Sequence, residues 1–167
     1  MSQTLTIRTA TIADAAALDG LFQRSFMTLL KGDYPPSAVI SALPVIGHAQ
    51  PALIRSGYFF VAERSDRIVG AAGWSFEPPG GRRGLRGMGH MRHVAVEPAH
   101  MRMGIGSALV DHVMRQARRA AVIRMLCQST RNAVPFYTAM GFTAQAETVL
   151  DLPGGVAFPC VAMATDL

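Results

Sequence analysis

The sequence predicts an α/β fold, a mixed sheet flanked by helices. Three observations point there. Short runs rich in β-branched and aromatic residues alternate along the chain with longer runs at helical spacing. One apolar run, Ala121 to Cys127, reads as a central strand covered on both faces. Half of the 167 residues are hydrophobic and 16% are charged, enough apolar material for a real core. The length predicts a single domain, residues 1–167.

Each element has its own signature. Thr4 to Arg8 alternates Leu5 and Ile7 with polar residues, as a first strand does. Thr11 is a candidate N-cap, with Asp14 three residues on. The helix it opens reaches about Phe26, with Leu18, Leu21, Phe22 and Phe26 on one face. After a break at Asp33 to Pro36, Ser37 to Leu43 predicts a short helix and Pro51 to Arg55 a further turn. Tyr58 to Glu63 and Arg67 to Phe76 form a hairpin about Asp66. Gly70 and Gly73 in its second strand imply crowding or a bulge. Pro78 to Gly89 is a loop holding Arg82, Arg83 and Arg86. His90 to Val96 is a fourth strand.

Gly104 to Arg119 is the clearest helix, with Ile105, Leu109, Val113 and Ala117 in one stripe and Arg118 and Arg119 at its C-terminus. Ala121 to Cys127 follows as a fifth strand, then a short helix from Ala133 to Met140 stopped by Gly141. Thr143 to Leu152 and Val156 to Met163 close the chain around Pro153-Gly154-Gly155. The order is β-α-α-β-β-β-α-β-α-β-β.

Composition narrows the function classes. Cys127 and Cys160 are too few for a disulfide scaffold, and a reduced, cytoplasmic setting fits. No apolar run approaches the roughly 18 residues of a membrane span, and the first ten residues lack a secretory core. Sixteen basic residues against eleven acidic give +5, and only Lys31 among them is lysine. That charge favours an acidic partner, either nucleic acid or a phosphorylated small molecule. The arginine-glycine loop from Gly80 to Gly89 keeps a nucleic-acid reading open, but no DNA- or RNA-binding motif accompanies it. The histidines and cysteines show no metal-ligand spacing, so no metal is expected.

The stretch from Val94 to Ser107 carries the most chemistry. A strand runs through a short loop into a helix whose first turn holds Gly104 and Gly106. Such a start exposes unpaired N–H groups at the positive end of a helix dipole. Glycine lets an anion approach them closely. The expected ligand is a phosphate or pyrophosphate on the amides of Arg102, Met103, Gly104, Ile105, Gly106 and Ser107. A P-loop is excluded by the missing Gly-Lys-Ser/Thr end. The dinucleotide fingerprint is incomplete, because Leu109 stands where its third glycine belongs.

A second segment, Asn132-Ala133-Val134-Pro135-Phe136-Tyr137-Thr138-Ala139-Met140-Gly141-Phe142, joins the glycine turn about thirty residues downstream. Together they resemble the GNAT superfamily of acyl-CoA-dependent N-acyltransferases. Its later pattern, Ala-x-x-Phe/Leu-Tyr-x-x-x-Gly-Phe, is complete in Ala133, Phe136, Tyr137, Gly141 and Phe142. Its loop pattern, Arg/Gln-x-x-Gly-x-Gly/Ala, is matched at Gly104 and Gly106, with Met101 in the Arg/Gln place. Thr130 stands where the family's asparagine is usual, with Asn132 two residues later.

The resemblance implies acetyl-CoA as cosubstrate and an acetyl group passed to a primary amine by direct attack. It implies a splay between the fourth and fifth strands, with the cofactor's pantetheine arm on the backbone of Val94, Ala95 and Val96. Asn132 and Phe136 join that expected cofactor site. Tyr137 takes the general acid's place, where a phenol protonated at neutral pH can serve a departing thiolate. His90 takes the place of a base in some relatives, with His93 and Glu77 as rivals and ordered water as a further possibility. Met125 fills a place where other relatives carry a glutamate. Strict alternation would put His90, Arg92, Val94 and Val96 on one face of that strand and Met91, His93 and Ala95 on the other.

The loop and the helical region Tyr34 to Arg55 are expected to shape the acceptor pocket. The acceptor itself, a small-molecule amine or a peptide, stays open, as does a homodimer. Two other readings remain: a CoA-binding sensor of the same fold without catalysis, and a small basic nucleic-acid-binding protein.

Overall fold

In the computed structural model, residues 3–152 and 155–167 are described. Seven strands form one sheet in the order β1-β2-β3-β4-β5-β7-β6. They are β1 (Thr6–Thr9), β2 (Phe59–Arg64), β3 (Arg67–Ser75), β4 (Met88–Val96), β5 (Arg124–Ser129), β6 (Thr143–Leu152) and β7 (Val156–Asp166). Among the described residues only the β4–β5 pair is parallel, so the sheet is mixed as expected. Five helices flank it: α1 (Ala15–Leu30), α2 (Pro36–Ile46), α3 (Pro51–Arg55), α4 (Ile105–Arg119) and α5 (Val134–Ala139). The expected turn at Pro153 and Gly154 lies outside the described residues.

Each face of the sheet has its own core. Helices α1 to α3 cover one face with Leu18, Leu21, Phe22, Leu30, Val39 and Ile54. Helix α4 covers the other with Ile105, Leu109, Val110, Val113 and Ala117, all at most 1% exposed. Each such aliphatic side chain contributes roughly 1.5–3 kcal/mol on burial, so the stripe read from the sequence holds α4 down. Gly70 makes its close approach possible. A Cβ there would stand 2.9 Å from both Ile105 Cγ2 and Leu109 Cδ1.

Asp14 is nearly buried at the start of α1. Its carboxylate accepts the Thr11 N–H at 2.8 Å and takes a two-pronged contact from Arg8 at 2.9 Å on each side. The helix runs on to Leu30, past the expected end at Phe26, because Leu30 still buries itself completely.

Several other boundaries differ from the sequence reading, three of them for a clear reason. β4 starts at Met88 rather than His90, because Met88 and Gly89 already pair with Arg124 and Met125. β5 starts at Arg124 rather than Ala121. The end of α4 uses Ala120 to Val122, with Ala121 at φ 64°, Ala121 N–H donating to Arg118 and Val122 N–H to Ala117. This is a Schellman ending with alanine where glycine is usual, so no residue type marks the stop. β7 continues past Met163 to Asp166 because its pairing with β5 runs on to Arg124↔Asp166.

The strict alternation of β4 does not hold. Its register against β3 slips by one residue between Ala71↔Ala95 and Gly73↔Arg92. His93 stands at the slip with φ 50°. The extra residue turns the strand over. Met91 packs with α4, yet Ala95 packs with the opposite core, and Val94 and Val96 pack on the α4 side. Arg92 and His93 both face α1 and α3: Arg92 reaches Gln50, and the His93 ring lies 5.0 Å from that of Phe22.

Candidate active site

The bulge and the parallel pair together open the sheet. The β4–β5 ladder is made at Met88↔Arg124, Gly89↔Met125 and His90↔Leu126, and it ends there. Beyond it, β4 keeps only β3 as a partner. Glu97 N–H donates to Val69 at 2.8 Å, and Ala95 stands opposite Ala71. Alternate residues of an antiparallel ladder bond to the same neighbour. Val94 and Val96 therefore turn their N–H and C=O groups toward the open side. An extended amide-bearing chain could pair with them there.

A cavity of about 340 Å³ occupies this opening. Arg92, His93 and Val94 line it from β4, and Cys127, Ser129 and Thr130 from β5 and the turn after it. Tyr137 enters from α5. The far side is apolar and comes from α1, α2 and the β6–β7 pair, including Phe26, Ile46, Leu152 and Phe158. Gln50, Pro79 and Gly80 also reach it, so the Tyr34–Arg55 region and the arginine loop do border the cavity. Tyr34 braces this wall. Its hydroxyl donates to the Pro159 carbonyl at 2.7 Å and accepts the Arg131 N–H at 3.0 Å, while its ring stacks on Phe158 at 4.5 Å.

Tyr137 is 7% exposed, with its ring between Phe136 and Phe142. α5 ends with Gly141 at φ 96°, Gly141 N–H donating to Thr138 and Phe142 N–H to Tyr137. The Gly-Phe pair of the motif thus closes the helix and sets the wall behind Tyr137. Burial, and then the neighbouring Cys127, hold the Tyr137 phenol well above its ordinary range, so it stays protonated. Burial pushes the Cys127 thiol up to about 12. Nothing in the sequence around Cys127 signals this neighbour, which only the β5–α5 packing creates.

The histidines separate. His90 is not among the cavity-lining residues; His93 is. Burial, and then Arg92, push His93 down to about 4, so it is neutral at pH 7. Its Nδ1 is buried with no partner, and so is Oγ1 of Thr130 on the same cavity. Burial also lowers His90, with Arg92 second. Asn132 lies elsewhere: its amide nitrogen donates to the Leu29 carbonyl and ties the chain before α5 to α1. Trp74 is wholly buried in the core. Met125 is too.

The glycine turn lies at the open end of the same gap. Arg102 (φ 62°) and Gly104 (φ 78°) both take the left-handed backbone conformation, one of those from which anion-binding N–H cradles are built. Ile105, Gly106 and Ser107 add the unpaired amides of the first helical turn. A side chain at Gly104 would meet no atom within 4 Å, so what requires glycine there is its φ. Gly106 differs: a Cβ would stand 3.3 Å from the Phe136 ring and 3.5 Å from Val96. The structure so brings Gly106, Phe136 and Val96 together. Met101 and Met103 are about half exposed on the turn's rim.

The comparisons with known proteins agree with this architecture. The family model for the acetyltransferase (GNAT) domain matches residues 55–144, more than half of the chain. The chain belongs to the GNAT acetyltransferase family. A glucosamine 6-phosphate N-acetyltransferase from Trypanosoma brucei brucei is 32% identical over 94 residues, covering 56% of this chain and 63% of that one. The aligned part thus spans less than two thirds of that relative. Among solved structures, a GCN5-related N-acetyltransferase from Rhodopseudomonas palustris superposes with a TM-score of 0.79 at 22% identity, covering 100% of this chain and 99% of that one. The PaiA N-acetyltransferase of Thermoplasma acidophilum, solved with coenzyme A, superposes at 0.72 with 15% identity, covering 98% and 99%. At these identities the two structures show a shared fold. Among the described residues, no helix is long and apolar enough to cross a membrane. Nor does any group of three or more His, Cys, Asp or Glu stand ready for a metal.

Proposed function

We propose that the chain is a single-domain cytoplasmic enzyme that moves an acetyl group from acetyl-CoA to a primary amine by direct attack. The observation that carries this reading is the parting of β4 and β5 beyond His90, with Tyr137 and His93 meeting in the gap it makes. Acetyl-CoA fits the gap along its length. Its phosphates would lie on the amides from Arg102 to Ser107, and its pantetheine amides would pair with Val94 and Val96. The thioester would then end beside Tyr137.

The reaction needs two proton movements. The amine nitrogen attacks the thioester carbonyl, the C–N bond forms and the C–S bond breaks. The departing thiolate takes the Tyr137 proton, which burial has kept in place. The amine must lose its own proton. Neutral His93, on the same wall, would take that proton from the amine directly or through a water. His93 supersedes His90 in this role because it alone of the two lines the cavity. Asn132, whose amide nitrogen donates to Leu29 while its Oδ1 has no partner, is given no cofactor contact in this reading.

Calorimetric titration with acetyl-CoA tests the cofactor half of this reading. Micromolar binding to the wild type, lost in Gly104→Glu, is the expected result. No binding to a demonstrably folded wild type would remove both the enzyme and the inactive CoA-binding module. Binding without turnover of any amine would favour that module.

A further inference from the structure

Among the described residues, Arg92 is the one cation lining the cavity, and its guanidinium closes on no carboxylate. Its Nη1 donates to Ser75 Oγ at 3.0 Å and its Nη2 to Gln50 Oε1 at 3.1 Å, both neutral. Among the described residues no carboxylate lies within ion-pair distance of it. The other well-placed arginines behave differently: Arg8, Arg24 and Arg124 each close on an aspartate or glutamate at 2.7–2.9 Å. Arg92 is half-buried, and burial pulls its pKa below the ordinary value, with Glu77 opposing. A half-buried cation gains from an anion that reaches it. Guanidinium has five N–H donors in a planar fork, and only two are used. The fork is also held in place: Ser75 fixes one nitrogen from β3 and Gln50 the other from the start of α3. The bulge at His93 then puts Arg92 and His93 side by side on the same wall.

We propose that Arg92 binds a carboxylate on the acceptor, so that the substrate is a small amine carrying one carboxylate on an apolar body. The proposal rests on the acetyltransferase reading and names its acceptor class. A single uncompensated cation suits a single negative charge better than a phosphate dianion. The apolar body follows from the facing wall, built mostly from Phe26, Leu29, Ile46, Leu152 and Phe158, with Asp151 the one carboxylate among the described lining residues. With the carboxylate on Arg92, the amine of an amino acid would lie within reach of His93 and of the thioester.

Paired acceptors test it. Leucine and isoamylamine share a body and an amine and differ by the carboxylate; phosphoethanolamine and ethanolamine make the same comparison for a phosphate. CoA release from acetyl-CoA is measured with each pair for wild type, Arg92→Gln and Arg92→Lys, after melting curves show that the variants fold. The readout is the ratio of kcat/KM within a pair, compared between proteins, so that differences in amine basicity cancel. The leucine preference should fall about 10- to 100-fold in Arg92→Gln, the range of hydrogen bonds to a charged group. It should fall less in Arg92→Lys, which keeps the charge and loses the fork. An equal preference in wild type and Arg92→Gln overturns the assignment, and a larger effect on the phosphate pair overturns the choice of carboxylate. Should no amine be acetylated, the enzyme reading fails by itself. The same ligands titrated into CoA-loaded protein by calorimetry then still decide: leucine bound by wild type and released in Arg92→Gln supports the site, and leucine not bound by wild type removes it.

Discussion

Replacing Tyr137 by phenylalanine removes one oxygen and little else. The ring is held between Phe136 and Phe142, at centroid distances of 5.1 and 5.5 Å, and phenylalanine keeps both contacts. The hydroxyl's neighbour is the Cys127 thiol of β5, a weak hydrogen-bond partner, so the cost to stability should stay within about 1 kcal/mol. The cost to chemistry should be much larger. The hydroxyl is the protonated acid on the cavity wall, and loss of a positioned acid lowers turnover by about 100-fold or more. The acetyl-CoA dissociation constant should barely move, because the phosphates and pantetheine amides are assigned to the turn and to β4. The pH profile adds a second check. The wild-type phenol is held well above its ordinary range, so kcat should show no fall from its deprotonation below about pH 10. Steady-state thiol release between pH 6 and 10, with calorimetry on both proteins, measures all three quantities. Wild-type kcat in a folded Tyr137→Phe protein would refute the acid role.

Gly104→Glu should also lose stability, by about 1–2 kcal/mol, because a side chain at φ 78° is strained; Gly104→Ala should share that loss in a melting experiment yet still bind acetyl-CoA. His93 should make stability depend on pH. Its folded pKa, about 4, lies below the unfolded value of 6.5. The contribution is complete above pH 6.5 and is lost as pH falls toward 4, because only the unfolded chain takes up the proton there. The full effect is up to about 3 kcal/mol, and urea titrations of His93→Gln between pH 4 and 7 should lack it. Asp14, held below its usual range by Arg8 first, contributes stability above its unfolded value that is lost as pH falls below it. Asp14→Asn should therefore weaken the fold by about 2 kcal/mol at pH 7 and flatten the acid limb of the same titration.

Most of the scaffold was legible because its signals are local. The α4 stripe, the Thr11–Asp14 helix start and the Gly141 stop each depend on residues within a turn of one another. The site was legible only in part. The glycine turn and the Phe136-Tyr137 segment carry composition that any reader of the chain can weigh. The bulge at His93 does not: a histidine at φ 50° has no signature, and without it the alternation of His90 to Val96 looks regular. That one residue moved the candidate base from His90 to His93 and brought Arg92 to the same side. Ala121 hid the true start of β5 in the same way. Cys127 beside Tyr137, and the Tyr34 brace on the β7 wall, come from contacts between distant segments. Asn132 was read from its nearness to the motif; its amide instead serves α1.

The most direct measurement incubates the protein with acetyl-CoA and a panel of primary amines, reading free thiol and N-acetylated product together by mass spectrometry. One acetylated amine per CoA released, abolished with Gly104→Glu and strongly slowed with Tyr137→Phe, is the result this account predicts. A folded protein that binds acetyl-CoA yet yields no N-acetylated product from any amine would contradict it.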